Sequence, residues 1–323
     1  MVRMTRGRPF LGVGGLAAAV ALVASGCSAG TVAGTGTVAT SAPSTQADFA
    51  GTVDIGGREM YLECTGQGAP TVILISGAGI AGDVWDSPLG EEPTVQPTIA
   101  ERTRVCSYDR PGTTRALAEG GASRSDPVAQ PITPRDSVAD LHALLEASGQ
   151  EPPYVLAAHS YGGLVARYYA NQYPDEVAGM VLVDSFSPEL RDAVGDAWPD
   201  WLAWNTTPPE IIAEYPEYEQ VAFDEALDQM APARGLQPMP LVVLTADAPY
   251  PAPTKPGLPP DIHLVTRAAQ DVSQREVAAL VPGARHVTET HSGHDIMLEN
   301  PVLVSNSILA VIDAVRAGRT RLE

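Results

Sequence analysis

The sequence predicts an α/β fold built on a buried, mostly parallel sheet, and three observations carry that expectation. First, short continuous apolar runs recur at Thr71–Ser76, Tyr154–Ala158, Val177–Val183 and Leu241–Leu244. Such runs, without polar alternation, suit strands covered on both faces. Second, helical patterns separate the runs: Pro134–Ala147 sets Val138, Leu141, Leu144 and Leu145 at helical spacing. Third, Tyr154–Gly163 passes from an apolar strand into a sharp turn, then into a helix with an apolar face. Ser160 stands at the apex of that turn.

The elements follow in order. Arg3, Arg6 and Arg8 precede a short apolar run, Phe10–Val23, and then Val23-Ala24-Ser25-Gly26-Cys27. This pattern reads as an export signal over residues 1–26, too short for a membrane span. Small residues before a cysteine are similar to a bacterial lipobox, although Ala24 stands where Leu is commoner. The expectation is a lipid on Cys27 and an exported protein on the outer face of the bacterial cell membrane. Residues 27–47, rich in Gly, Ser, Thr, Ala and Pro, read as a flexible tether. Asp48–Cys64 reads as an antiparallel hairpin turned at Gly56-Gly57. Arg104–Tyr108 and Ala284–Thr288 complete the expected strands. Asn300-Pro301 opens a last helix, with a capping side chain before proline at the first position.

Charge narrows the class of partner. The chain has 20 basic and 39 acidic residues, and loss of the leader leaves 17 basic residues and a net charge of −22. That balance argues against nucleic acid and polyanionic substrates. No metal-ligand spacing, phosphate loop or dinucleotide fingerprint stands out, and Gly77-x-Gly79 lacks the rest of a dinucleotide pattern. No cofactor and no metal are expected.

Four landmarks in a fixed order carry a family resemblance. They are Ile75-Ser76-Gly77-Ala78-Gly79 after a strand, Tyr108-Asp109-Arg110-Pro111-Gly112 after the next, the turn at Ser160, and Ser292-Gly293-His294 near the end. From about Asp48 onward the chain resembles an α/β-hydrolase. The resemblance implies an eight-stranded sheet in the order 1-2-4-3-5-6-7-8, with helices on both faces. It implies a helical cap between strands six and seven, about residues 187–238, which holds Trp198, Trp201, Trp204, Tyr215, Tyr218 and Phe223. The three tryptophans recur at intervals of three, as one helical face would present them, and are expected to pack the cap onto the body; the alternative is that one or two of them line an apolar acyl or leaving-group pocket. That strand order sets strands two and four side by side, so in an exported protein it implies a disulfide between Cys64 and Cys106.

The turn at Ser160 matches the nucleophile elbow, whose strain requires small residues two before and two after the serine. Here they are Ala158 and Gly162, in an A-x-S-x-G variant of the usual G-x-S-x-G. A serine hydroxyl needs an adjacent base, and the resemblance makes it His294. Among the other histidines His291 is the nearest rival. His159 is too constrained beside the serine, His286 lies within strand eight, and His142 and His263 occupy surface or helix positions. An acid must orient the imidazole. In most of the family the acid follows strand seven; there Asp247 is near the right place but comes too early, and Pro249 occupies the usual position. A minority layout takes the acid from the end of strand six, where Asp184 stands. Asp184 is preferred and Asp247 is kept as the alternative. The oxyanion hole needs two backbone N–H groups, expected from Ala78 and Tyr161.

The expected activity is hydrolysis of a small carboxylic ester through an acyl-serine. Peptidases, amidases, carbon–carbon bond hydrolases and cofactor-free haloperoxidases share the framework and remain alternatives, as does a non-catalytic surface-binding protein. Ser160 speaks against dehalogenases and epoxide hydrolases, whose nucleophile is aspartate. Oligomeric state stays open.

Overall fold

The computed structural model describes residues 46–117, 121–230 and 235–322. The expected leader, Cys27 and nearly all of the expected tether lie outside the described residues. The chain runs β1 (Phe49–Asp54), β2 (Glu59–Thr65), β3 (Thr71–Ile75), α1 (Val95–Ala100), β4 (Val105–Tyr108), α2 (Pro134–Ala147), β5 (Tyr154–His159), α3 (Gly162–Gln172) and β6 (Val177–Val183). Then come α4 (Pro188–Val194), α5 (Trp198–Asn205), α6 (Pro209–Glu214), α7 (Phe223–Met230), β7 (Leu241–Leu244), α8 (Ile262–Ala279), β8 (Arg285–Val287), α9 (Ile296–Glu299) and α10 (Pro301–Arg316).

The eight strands form one sheet in the order β1-β2-β4-β3-β5-β6-β7-β8. β2 pairs antiparallel with β1 and β4, and the other pairs are parallel. Side chains alternate between the faces of a strand, so each apolar run feeds two cores. Ile73, Ile75, Leu156, Leu182 and Val243 join the core that includes Leu141 and Leu144 of α2 and Val165 of α3. Val72, Leu74, Val155, Val181 and Leu244 join the other, with Ile99 of α1 and Val304, Ile308 and Val311 of α10. Burial on both faces is why these strands lack polar alternation.

Local signals act as expected. Gly56 and Gly57 turn the first hairpin with φ of 103° and 109°, and Asp54 Oδ1 accepts both of their N–H groups. Thr133 and Asp136 form a capping box ahead of Pro134, and Asn300 Oδ1 accepts from Leu303 N–H at the start of α10. Cys64 and Cys106 face each other across β2 and β4 with Cα atoms 4.1 Å apart, and they are bonded. β8 is shorter than the expected Ala284–Thr288, because this partly buried edge strand pairs with β7 only over Arg285–Val287. The insert between β6 and β7 holds α4 to α7. Trp198 stacks on Trp201, and Trp201 on Phe186.

Candidate active site

Ser160 sits between β5 and α3 with φ of 51°, in the left-handed region. Such a backbone persists only where its surroundings fix it. Here Ser160 N–H donates to Val183 O, and Ser160 O accepts from the N–H groups of Gly163 and Phe186. The small neighbours have a steric cause. A Cβ on Gly162 would lie 2.5 Å from Ile75 O, and one on Gly163 would collide with Ser185 Cβ.

Asp184, at the end of β6, is fully buried and also takes a positive φ, 38°. His294 Nδ1–H donates to its Oδ2 at 2.6 Å. The same oxygen accepts from the Tyr250 hydroxyl at 3.0 Å. Oδ1 accepts from Ala246 N–H at 3.1 Å and Gln270 Nε2 at 3.3 Å. Burial pushes the Asp184 pKa up, but the His294 ring and these donors outweigh it, and the net pKa is lowered. For His294 burial opposes the cation, but the hydrogen bond and charge of Asp184 prevail, with Asp295 and Glu299 adding to them, so its pKa is raised. The two shifts agree: the carboxylate stabilises the imidazolium.

Ser160 and His294 line one cavity of ≈ 760 Å³. No hydrogen bond joins their side chains here. Such contacts often tighten only with substrate bound.

Asp247, the alternative acid, points elsewhere. It is exposed, and its Oδ1 accepts from Ser292 N–H and the Thr290 hydroxyl. Asp247 thus braces the loop that carries His294. Its nearest histidine is His291, 3.8 Å away, whose side chain is 82% exposed. His159 is buried, and its Nε2–H donates to the His294 carbonyl at 3.0 Å. Burial first, then the nearby His294 charge, lowers its pKa to about 3. It is therefore neutral, and it holds the backbone of the expected base. His286, within β8, contacts the Thr245 hydroxyl, and His142 stacks on Tyr173.

Ala78 and Tyr161 both line the cavity, and among the described residues neither backbone N–H donates to another group. The Ala78 loop is fixed from the cap. Buried Arg110 donates to the carbonyls of Ser76 and Gly77. Glu219, also buried, accepts from Arg110 Nε at 2.6 Å and from Gly79 N–H at 2.6 Å. Burial disfavours both charges, and their pairing compensates.

Tyr250, Gln270 and Glu219 were not expected from the sequence. A signal existed for Gln270: Thr266, Gln270, Ser273 and Gln274 put polar groups on the buried face of α8. A polar stripe facing a core needs partners, and here it reaches Asp184 and the Ser185 carbonyl. Among the described residues no cluster of three or more His, Cys, Asp or Glu is arranged to hold a metal ion. None of their helices is long and apolar enough to cross a membrane.

Fold and site together define an α/β-hydrolase, and the sequence comparison agrees. The chain matches the alpha/beta hydrolase family over residues 72–306 and belongs to it. Among curated proteins it is 28% identical over 137 residues to the uncharacterized protein YbdG of Bacillus subtilis (strain 168), a match covering 42% of this chain and 38% of that protein. The chain thus aligns with well under half the length of that relative. Among solved structures it is similar to the carboxylesterase CesB (YbfK) from Bacillus subtilis, with a TM-score of 0.53 and 17% identity over 83% of this chain and 92% of that one. It is equally similar to a bromoperoxidase from Bacillus anthracis, with a TM-score of 0.53 and 15% identity over 82% of this chain and 100% of that one. Two different activities at this distance mean that the likeness carries the fold alone.

Proposed function

We propose that this protein hydrolyses a carboxylic ester through an acyl-serine intermediate. Ser160 Oγ attacks the ester carbonyl carbon while His294 Nε2 takes its proton. The carbonyl π electrons move to oxygen, and the N–H groups of Ala78 and Tyr161 stabilise that oxyanion. The tetrahedral intermediate collapses, the bond to the alkoxy group breaks, and His294 returns the proton to the leaving alcohol. Water, deprotonated by His294, then releases the acid and restores Ser160. Asp184 stays ionised throughout and holds the ring with Nδ1 protonated, so that Nε2 is free to accept.

One observation supports this above the others: the 2.6 Å bond from His294 to a fully buried carboxylate, beside a cavity that also exposes Ser160. A surface-binding protein has no use for an ionised buried acid aimed at a histidine. The test is the Ser160→Ala variant, assayed on an activated ester such as p-nitrophenyl butyrate. Its kcat/KM should fall on the order of a thousandfold or more with the fold intact. Near wild-type turnover would remove Ser160 from the chemistry.

A further inference from the structure

The cavity that exposes Ser160 is lined in part by the cap, through Trp201 and Trp204 among others. A second cavity of ≈ 810 Å³ adjoins it and shares four lining residues with it: Trp204, Asn205, Thr207 and Tyr218. The far side is formed by α6, through Ile211 and Glu214, and by Thr114 and Ala122 beyond β4. Tyr218 stands at the threshold. Its hydroxyl occupies the place that a Cβ on Gly79 would take, immediately beside Ala78. The threshold therefore lies next to the expected oxyanion loop. A substrate group reaching past Tyr218 starts from the reacting carbonyl.

We infer that this second cavity is a subsite for the distal, uncharged part of an extended ester. This inference rests on the ester reading of the first cavity. Size supports it, because a cavity of 300–1,000 Å³ already suits a drug-sized ligand, and here two such spaces adjoin across Trp204 and Tyr218. Lining chemistry supports it too. Trp204, Tyr215, Tyr218, Pro208 and Ile211 offer apolar and aromatic surface. Among the described residues no lysine or arginine lines either cavity, and Glu214 is the one charged side chain lining the second. On the first, Asp295 and Glu299 lie beside His294. Lys255, outside that lining, donates to the carbonyls of Ala203 and Thr206, so a carboxylate- or phosphate-bearing tail would find no positive side chain on the described walls and would meet like charge from Glu214. A hydrocarbon tail would instead lie against the apolar faces of Trp204, Tyr218 and Ile211.

The test is a series of p-nitrophenyl esters, from acetate and butyrate to octanoate and decanoate, with a decanoate analogue bearing an ω-carboxylate. Wild-type kcat/KM should rise from butyrate to decanoate, and the ω-carboxylate should remove the gain. Ile211 is half exposed on α6 and touches only the second cavity. Ile211→Trp should fill that space. It should lower decanoate turnover at least about tenfold, the equivalent of two buried methylenes, and leave acetate unchanged. Ile211→Arg, tolerable at so exposed a position, should raise the ω-carboxylate ester relative to decanoate. A wild-type enzyme that gains nothing beyond butyrate overturns the subsite. So do variants that change acetate and decanoate alike. Failure of wild type to turn over any ester overturns the ester reading instead, and the subsite with it.

Discussion

Replacing Asp184 with asparagine probes the acid, and its four donors dictate how the new amide would sit. Oδ1 of Asp184 accepts from Ala246 N–H, whose position the backbone fixes, and from Gln270. An asparagine that keeps those bonds puts its carbonyl there and its NH2 group where Oδ2 now faces His294 and Tyr250. That NH2 can donate to Nδ1 only when the ring proton sits on Nε2. Nε2 then cannot accept the Ser160 proton. Flipping the amide rescues the tautomer but sets NH2 against Ala246 N–H, a buried clash of donors costing about 1–3 kcal/mol. The tautomer alone therefore lowers turnover roughly tenfold to a hundredfold. Loss of the negative charge beside the developing imidazolium adds to it. The same substitution in another serine triad lowered turnover by about ten-thousandfold. Asp247→Asn should be mild, since an amide oxygen can still accept from Ser292 N–H. The assay is kcat/KM on p-nitrophenyl butyrate, with circular dichroism to verify the fold. A loss of less than tenfold in Asp184→Asn, or a crippling loss in Asp247→Asn, refutes the strand-six acid.

The base must be neutral to accept a proton, and Asp184 holds the His294 pKa above the ordinary 6.5. The acid limb of the kcat/KM profile should thus have its midpoint above that value, and Asp184→Asn should move it down; a wild-type midpoint at or below 6.5 contradicts the pairing. The Cys64–Cys106 bridge spans 42 residues, which in the chain-entropy account stabilises the fold by about 4 kcal/mol. The Cys64→Ala, Cys106→Ala double variant should melt on the order of 10 °C lower, and an unchanged Tm would show that the bridge does not constrain the unfolded chain.

Strands β3, β5, β6 and β7 were legible because burial on two faces leaves uninterrupted apolar runs. The turn at Ser160 was legible because its strain admits only small neighbours, at Ala158 and Gly162. The acid was legible only as a pair of candidates. Asp184 and Asp247 both follow central strands, and the choice depends on which loop the His294 ring faces. The supports around the site come from contacts distant in sequence. Tyr250 reaches Asp184 across 66 residues, Gln270 across 86, and Glu219 reaches Gly79 across 140. Nothing local to Tyr250 or Glu219 marks them. A buried arginine in Asp109-Arg110-Pro111 does demand an acid, but the sequence alone does not say that the cap supplies it.

The central claim is that Ser160 is the nucleophile, and covalent labelling reads it most directly. The folded protein is treated with a fluorophosphonate, digested, and mapped by mass spectrometry. A single adduct is expected on Ser160, absent in Ser160→Ala and much slower to form in Asp184→Asn. An enzyme that turns over esters while Ser160 stays unmodified, or that carries its adduct on another side chain, contradicts the account.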